Sequence, residues 1–107
     1  MEINFRDVKD YKIIVLKGEM NYFNCVKLRD VLYKLIQNDT ASIMLDLKDV
    51  TFIDSAGMGL LINTNKKINM YNGKMGLLNP TEEILNLLKL ATLDRIIPIY
   101  HSEDDIK

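Results

Sequence analysis

The apolar residues of this 107-residue chain alternate between the spacing of strands and the spacing of helices. Runs such as Tyr11–Lys17 are apolar on both faces, which is typical of strands in the interior of a sheet. Other segments place apolar residues every three or four positions, as an amphipathic helix does. A chain that alternates in this way indicates an α/β fold with a mainly parallel sheet and right-handed helical crossovers.

The predicted order is β-β-α-β-α-β-α-β, in one domain spanning residues 1–107. The predicted strands are, in chain order, residues 2–8, 11–17, 42–47, 74–78 and 96–100. The first two form a hairpin, and Gly18 ends the second. Pro98 cannot donate to a ladder, so the last strand is expected at an edge. If the strands lie in chain order, the crossover helices fall mostly on one face.

Three helices are predicted between these strands. The first starts at Asn24, which would act as its N-cap. The second follows Ser55, runs to about Tyr71 and is capped by Gly73. The third opens at residues 79–81, with Pro80 at an early position where no amide is needed. The apolar stripes expected to be buried are Cys25, Leu28, Leu32 and Leu35, then Leu61, Ile68 and Tyr71, then Ile84, Leu85, Leu87, Leu88 and Leu90. The acidic tail from Ser102 adds a helical turn.

Composition excludes several classes of function. With 14 basic and 15 acidic residues, the chain lacks the basic excess expected of a nucleic-acid-binding protein. No run approaches the roughly 20 apolar residues that a membrane span needs. The N-terminus lacks the pattern of a secretory signal, and the single Cys25 cannot form an internal disulfide, so a cytoplasmic location is expected.

The most informative segment is Ile53-Asp54-Ser55-Ala56-Gly57-Met58-Gly59, between a strand region and a helix. Asp54 and Ser55 are both good N-caps. The small residues that follow leave the first helical turn almost bare, so a large partner could approach its backbone. A phosphate on Ser55 would lie at the positive end of a helix, where negative charge is tolerated. A plain alternative is that Ser55 is only a helix cap and the glycines serve packing.

Catalysis has little support in the sequence. The segment lacks the Gly-Lys-Ser/Thr of a Walker loop, and Ser55 lacks the glycine pattern of a nucleophile elbow. His101 is the only histidine, and with one cysteine it leaves little to build a transition-metal site. The chain is therefore expected to have no enzymatic activity, no cofactor and no metal.

The stretch from Leu45 to Leu61 resembles the central signature of STAS domains, which sulfate transporters and anti-sigma-factor antagonists share. The resemblance extends to Gly18-Glu19-Met20-Asn21, Asn24, Leu28-Arg29, Gly73, Asn79-Pro80 and Leu90-Ala91-Thr92-Leu93-Asp94.

The resemblance implies an antagonist whose unphosphorylated form holds an anti-sigma factor and so frees a sigma factor. That anti-sigma factor is an ATP-dependent kinase, which phosphorylates the position of Ser55, and a PP2C-type phosphatase reverses the reaction. Asp54 would shape the loop of the acceptor.

Three positions depart from the family pattern. Asn21 replaces an aspartate thought to lie near the serine, so one negative charge is absent. Ala56 replaces a second Ser/Thr, which leaves a single acceptor. Thr92 replaces a glycine near the end of the third helix, which puts that cap geometry in question.

The expected partner surface comprises the entrance to the first helix, the turn before the second helix and the exposed side of that second helix. Its residues are Asn21, Tyr22, Phe23, Asn24, Asp54, Ser55, Ala56, Gly57, Met58 and Gly59. The apolar side chains of Met20, Tyr22, Phe23 and Met58 are either core residues or, if exposed, an anchor for a partner. The protein is expected to be a monomer on its own, without nucleic-acid or membrane contacts.

Two alternatives stay open. The first is a STAS scaffold or sensor subunit that is never phosphorylated. The second is a small nucleotide-binding or phosphoryl-accepting domain, such as a receiver domain. A receiver needs a lysine after its last strand, which residues 96–100 do not offer.

Overall fold

Five strands form one sheet in the computed structural model, which describes residues 1–38 and 42–106. The strands are β1 (Glu2–Val8), β2 (Tyr11–Met20), β3 (Ser42–Ile53), β4 (Lys74–Leu78) and β5 (Ile99–Tyr100). They lie side by side in chain order. Only β1 and β2 pair antiparallel, while the other pairs are parallel. The predicted α/β class, hairpin and edge position of the last strand are confirmed.

Three helices cover one face of this sheet. They are α1 (Tyr22–Gln37), α2 (Ser55–Met70) and α3 (Glu82–Leu90). Their buried side chains form one hydrophobic cluster with alternate residues of the central strands, among them Ile14, Leu45 and Leu77. The prediction that the helices lie on one face is therefore confirmed, and it follows from the strand order and the right-handed crossovers.

The C-terminal segment covers the other face. Ile106 packs on a second cluster that includes Ile13 and Met44. The segment contains a short 3₁₀ turn, Glu103–Asp105, which confirms the turn predicted in the acidic tail. Arg6 on β1 contacts both Glu103 and the buried carboxylate of Asp46, the latter at 3.5 Å. The chain end is thus held by apolar and ionic contacts together.

The central strands β2 and β3 are longer than predicted. Gly18 does not end β2 but lies within it, at a φ of +120° that other residues rarely adopt. The β2–β3 register shifts on both sides of this residue. β3 continues past the predicted end to the buried Ile53. Lys48, Asp49 and Thr51 in this extension are polar and exposed, so the apolar pattern that predicted the strand stops before them.

The ends of α1 and α2 differ from the prediction. The N-cap of α1 is Asn21, so Asn24 lies inside the helix. At the end of α2, Asn72 takes the left-handed conformation with φ 63°, and Gly73 follows it and donates its N–H to Ile68 O at 2.9 Å. Tyr71 is exposed rather than part of the buried stripe.

The last third of the chain also departs from the prediction in detail. The N-cap of α3 is Thr81, whose hydroxyl accepts from the N–H of Ile84, so Pro80 precedes the helix. Leu90 at the end of α3 is 82% exposed. β5 contains two residues rather than five and begins after Pro98. Thr92 adopts the left-handed conformation, with φ 59°, at a position where the family pattern has glycine.

Candidate functional site

The carboxylate of Asp54 joins the N-termini of two neighbouring helices. Oδ1 accepts from the N–H of Gly57 in α2, and Oδ2 accepts from the N–H of Tyr22 at the start of α1, each at 3.0 Å. The backbone N–H of Asp54 donates to Met20 O at 3.2 Å. Both helices follow parallel strands, so their N-termini lie at the same edge of the sheet. Asp54 thereby positions the two predicted halves of the site next to each other.

Asn21 and Asn24 organise the entrance to α1. Oδ1 of Asn21 accepts from the backbone N–H of Asn24 at 3.0 Å, as an N-cap does. The side-chain amide of Asn24 donates to Glu19 O at 2.7 Å. Asn21 therefore caps α1 with a neutral side chain and places no negative charge of its own in this region.

Ser55 is exposed and is the first residue of α2. The helix cap is Asp54, and Ser55 is not required for it. The hydroxyl of Ser55 forms no hydrogen bond with any other group in residues 1–38 and 42–106. Ser55 is therefore not the cap of α2, and its hydroxyl is accessible to solvent.

The two glycines of this turn have different surroundings. A Cβ on Gly57 would lie 2.6 Å from Met20 O and 2.7 Å from Ile53 Cγ2, so close packing requires glycine there. A Cβ on Gly59 would meet nothing within 4 Å. Gly57 lets α2 approach the end of β2, whereas Gly59 leaves open space at the surface.

The four apolar candidates divide between core and surface. Met20 is fully buried, and Met58 is partly buried and packs against the core. Tyr22 is 67% exposed and Phe23 is 83% exposed, and their rings meet edge to face with centroids 5.9 Å apart. Only the two aromatic residues can serve as an exposed anchor.

A shallow groove of about 240 Å³ runs between α1 and α2, and Tyr22 of this aromatic pair lines it. Its lining includes Val26, Arg29 and Tyr33 of α1, which sequence reasoning missed, and Asn63 on the exposed side of α2, which the expected surface included. Tyr22, Val26, Arg29 and Tyr33 follow one another along α1 at intervals of three or four residues, so a helical stripe adjacent to the buried one was the signal that could have found them.

The thiol of Cys25 also borders this groove, but it is buried. Burial raises the pKa of Cys25, and the negative charge of Asp54 raises it further. The thiol is therefore protonated at neutral pH and a poor nucleophile.

A larger cleft, of about 800 Å³, lies elsewhere. It separates the ends of β2 and β3 from the start of α3, and it is lined by Lys17, Lys48, Glu82 and Glu83 among others. None of the predicted site residues lines it. In the part of the chain that the structure describes, no cluster of three His, Cys, Asp or Glu side chains could hold a metal ion. No helix among residues 1–38 and 42–106 has the length and apolar character to span a membrane.

Comparisons with known proteins cover nearly the whole chain. An anti-sigma F factor antagonist of Paenibacillus polymyxa is 29% identical over 104 residues, which are 96% of this chain and 89% of that protein. A crystal structure of a Thermotoga maritima protein provisionally named an anti-sigma factor antagonist is 30% identical and has a TM-score of 0.89. That match covers 96% of this chain and 89% of the other.

A Bacillus protein, SpoIIAA in its phosphorylated form, shares the fold. It is 21% identical with a TM-score of 0.74, and the match covers 97% of this chain and 95% of the other. The family model described as the STAS domain matches residues 2–106. Since that match spans almost every residue, the chain belongs to the STAS domain family.

Proposed function

We propose that this chain is an anti-sigma-factor antagonist that binds its partner when unphosphorylated and is turned off by phosphorylation of Ser55. The observation that carries the proposal is the exposed hydroxyl of Ser55 at the start of a helix that Asp54 already caps. The names of the Paenibacillus relative and the Thermotoga structure support the antagonist role. The solved phosphorylated form of SpoIIAA supports a phosphorylated state for a protein of this fold.

The local geometry makes phosphorylation compatible with folding. A phosphate adds about −1.5 to −2 charge at neutral pH. At the first residue of α2 it would face the unpaired N–H groups of a helix N-terminus, which favours negative charge. The nearby carboxylate of Asp54 would oppose it, but both oxygens of that group already accept backbone hydrogen bonds. Phosphorylation would therefore alter the charge of the surface and leave the domain folded.

The proposed partner is an anti-sigma factor with ATP-dependent serine kinase activity, and a PP2C-type phosphatase would restore the active form. The partner surface is the entrance to α1 together with the turn at residues 54–59. The chain would act in the cytoplasm as a single monomeric domain, with no catalysis of its own. Ala56 leaves Ser55 as the one hydroxyl in this turn.

The test compares wild type with Ser55→Ala and Ser55→Asp in binding to purified anti-sigma factors of the organism, with and without ATP. We expect wild type to bind without ATP and to dissociate with ATP, and mass measurement to place one phosphate on Ser55. Ser55→Ala should bind under both conditions, and Ser55→Asp should bind weakly while remaining folded. Equal release of wild type and Ser55→Ala by ATP would overturn the proposal. Binding without any phosphorylation would instead indicate a STAS scaffold.

A further inference from the structure

The groove between α1 and α2 begins next to Ser55 and follows both helices away from it. At its near end lie Tyr22 and Ala56, and at its far end lies Tyr33, with Lys67 Nζ 4.9 Å from the centre of its ring. Eleven residues of helix separate Tyr22 from Tyr33, which corresponds to about 16 Å. The groove is therefore long enough for about three turns of a partner helix.

We propose that this groove is the docking site for an amphipathic, acidic segment of the anti-sigma factor, anchored on Tyr22 and Phe23 and paired with Arg29. The proposal rests on the proposed function and adds the chemistry of the partner segment.

Three of the exposed side chains around the near end are apolar or aromatic. Tyr22 and Phe23 are mostly exposed, and Val26 is 48% exposed one turn further along α1. Ala56, Gly59 and the buried Leu60 form the opposite side, and the empty space beyond Gly59 leaves room for a side chain of the partner. Aromatic residues bury about 150–250 Å² each, and a contact of this kind dominates many interfaces.

The charged side chain that lines the groove is basic. Arg29 is among its lining residues, and no carboxylate is. Helix α2 carries Lys66 and Lys67 and no acidic residue between Ser55 and Met70. These positive groups favour a partner segment that presents carboxylates.

Two neighbouring carboxylates do not change this conclusion. Asp30 lies 3.8 Å from Arg29, but both side chains are more than half exposed, and such a pair contributes little. Asp54 directs both oxygens to backbone N–H groups of the two helices. Arg29 thus remains available to a partner.

The same arrangement explains how a phosphate on Ser55 would release the partner. The phosphate would stand at the near end of the groove, next to Ala56 in the first turn of α2. Its negative charge would repel an acidic segment lying over that turn.

The test uses matched variants in the same binding assay with purified anti-sigma factors. Arg29→Glu and Val26→Gln alter the lining of the groove, and Phe23→Ala removes the ring that packs on Tyr22 at its near end. The controls are Phe5→Ala, an exposed phenylalanine on β1, and Lys27→Glu, which lies on the flank of α1 that faces β1. We expect each groove variant to weaken binding at least about tenfold and each control to change it less than about threefold. Binding of Arg29→Glu should also depend less on salt concentration.

Different results distinguish the two proposals. If Phe23→Ala and Arg29→Glu bind as the controls do, while ATP still releases wild type but not Ser55→Ala, the groove is not the docking site and the proposed function stands. Tighter binding by Arg29→Glu would show that the partner segment is basic and overturn the acidic assignment. If wild type binds none of the anti-sigma factors, both proposals fail. Urea unfolding of each variant shows whether a loss of binding reflects a loss of folding.

Discussion

At the scale of single residues, the structure assigns adjacent side chains to different tasks. Asp54 holds the N-termini of α1 and α2 through two hydrogen bonds at 3.0 Å. Ser55, the next residue, is exposed and does not cap the helix. The phosphorylation that we propose at Ser55 would therefore leave in place the backbone contacts that Asp54 makes.

This division predicts unequal effects of two alanine substitutions. Asp54→Ala removes an N-cap and a second charge-assisted hydrogen bond, so it should lower the free energy of unfolding by about 1–3 kcal/mol. Ser55→Ala should change it by no more than about 0.5 kcal/mol. Urea unfolding measures both, with Asp30→Ala as an exposed control on α1. Equal losses for Asp54→Ala and Ser55→Ala would contradict the assignment.

At the scale of elements, the contact between α2 and the ends of β2 and β3 depends on one glycine of the first turn. Gly57 faces the carbonyl of Met20 and the side chain of Ile53, whereas Gly59 faces open space. The first turn of α2 is therefore tightly packed on the side of the sheet and open on the side of solvent.

The two glycines should respond to alanine with opposite signs. Gly57→Ala forces a shift of rigid backbone and should lower the free energy of unfolding by about 1–3 kcal/mol. Gly59→Ala meets no obstacle and should raise it by up to about 1 kcal/mol, since alanine favours helix over glycine. Thermal or urea unfolding of the two variants side by side gives the comparison. Destabilisation by Gly59→Ala would show that its surroundings are not open.

At the scale of the whole molecule, the chain end and the first strand are connected through a buried carboxylate. Asp46 is 2% exposed, accepts from the N–H of Lys48 at 3.1 Å and contacts Arg6, which also contacts Glu103. Lys9 Nζ donates to Ile106 O at 2.9 Å. These contacts hold the C-terminal segment on the face of the sheet that the helices leave uncovered.

Removing the positive charge of Arg6 should destabilise the fold, because the carboxylate of Asp46 would then be buried without its ionic partner. Arg6→Met should lower the free energy of unfolding by about 1–3 kcal/mol, less than for a fully buried pair because Arg6 is partly exposed. In an Asp46→Asn background the same substitution should cost clearly less, which a double-mutant cycle measures. Equal costs in the two backgrounds would show that Arg6 acts by packing alone.

Much of the fold could be predicted because its signals are local. Periodicity located all five strands and three helices, and the order of elements indicated the parallel sheet. The ends of elements were less predictable. Asn21 and Asn24 have the same capping propensity, and the choice of Asn21 coincides with a bond from Tyr22 to Asp54, which is 32 residues away along the chain.

The sequence by itself therefore determined the class of fold, the family and the position of the serine that we propose as acceptor, since these depend on periodicity and on a short contiguous motif. Only the tertiary structure decided which apolar residues of the site are exposed. Met20 and Phe23 differ little in hydrophobic character, yet one is fully buried and the other is 83% exposed. The groove with Arg29 likewise exists only after α1 and α2 pack side by side, because its two walls come from segments about 30 residues apart.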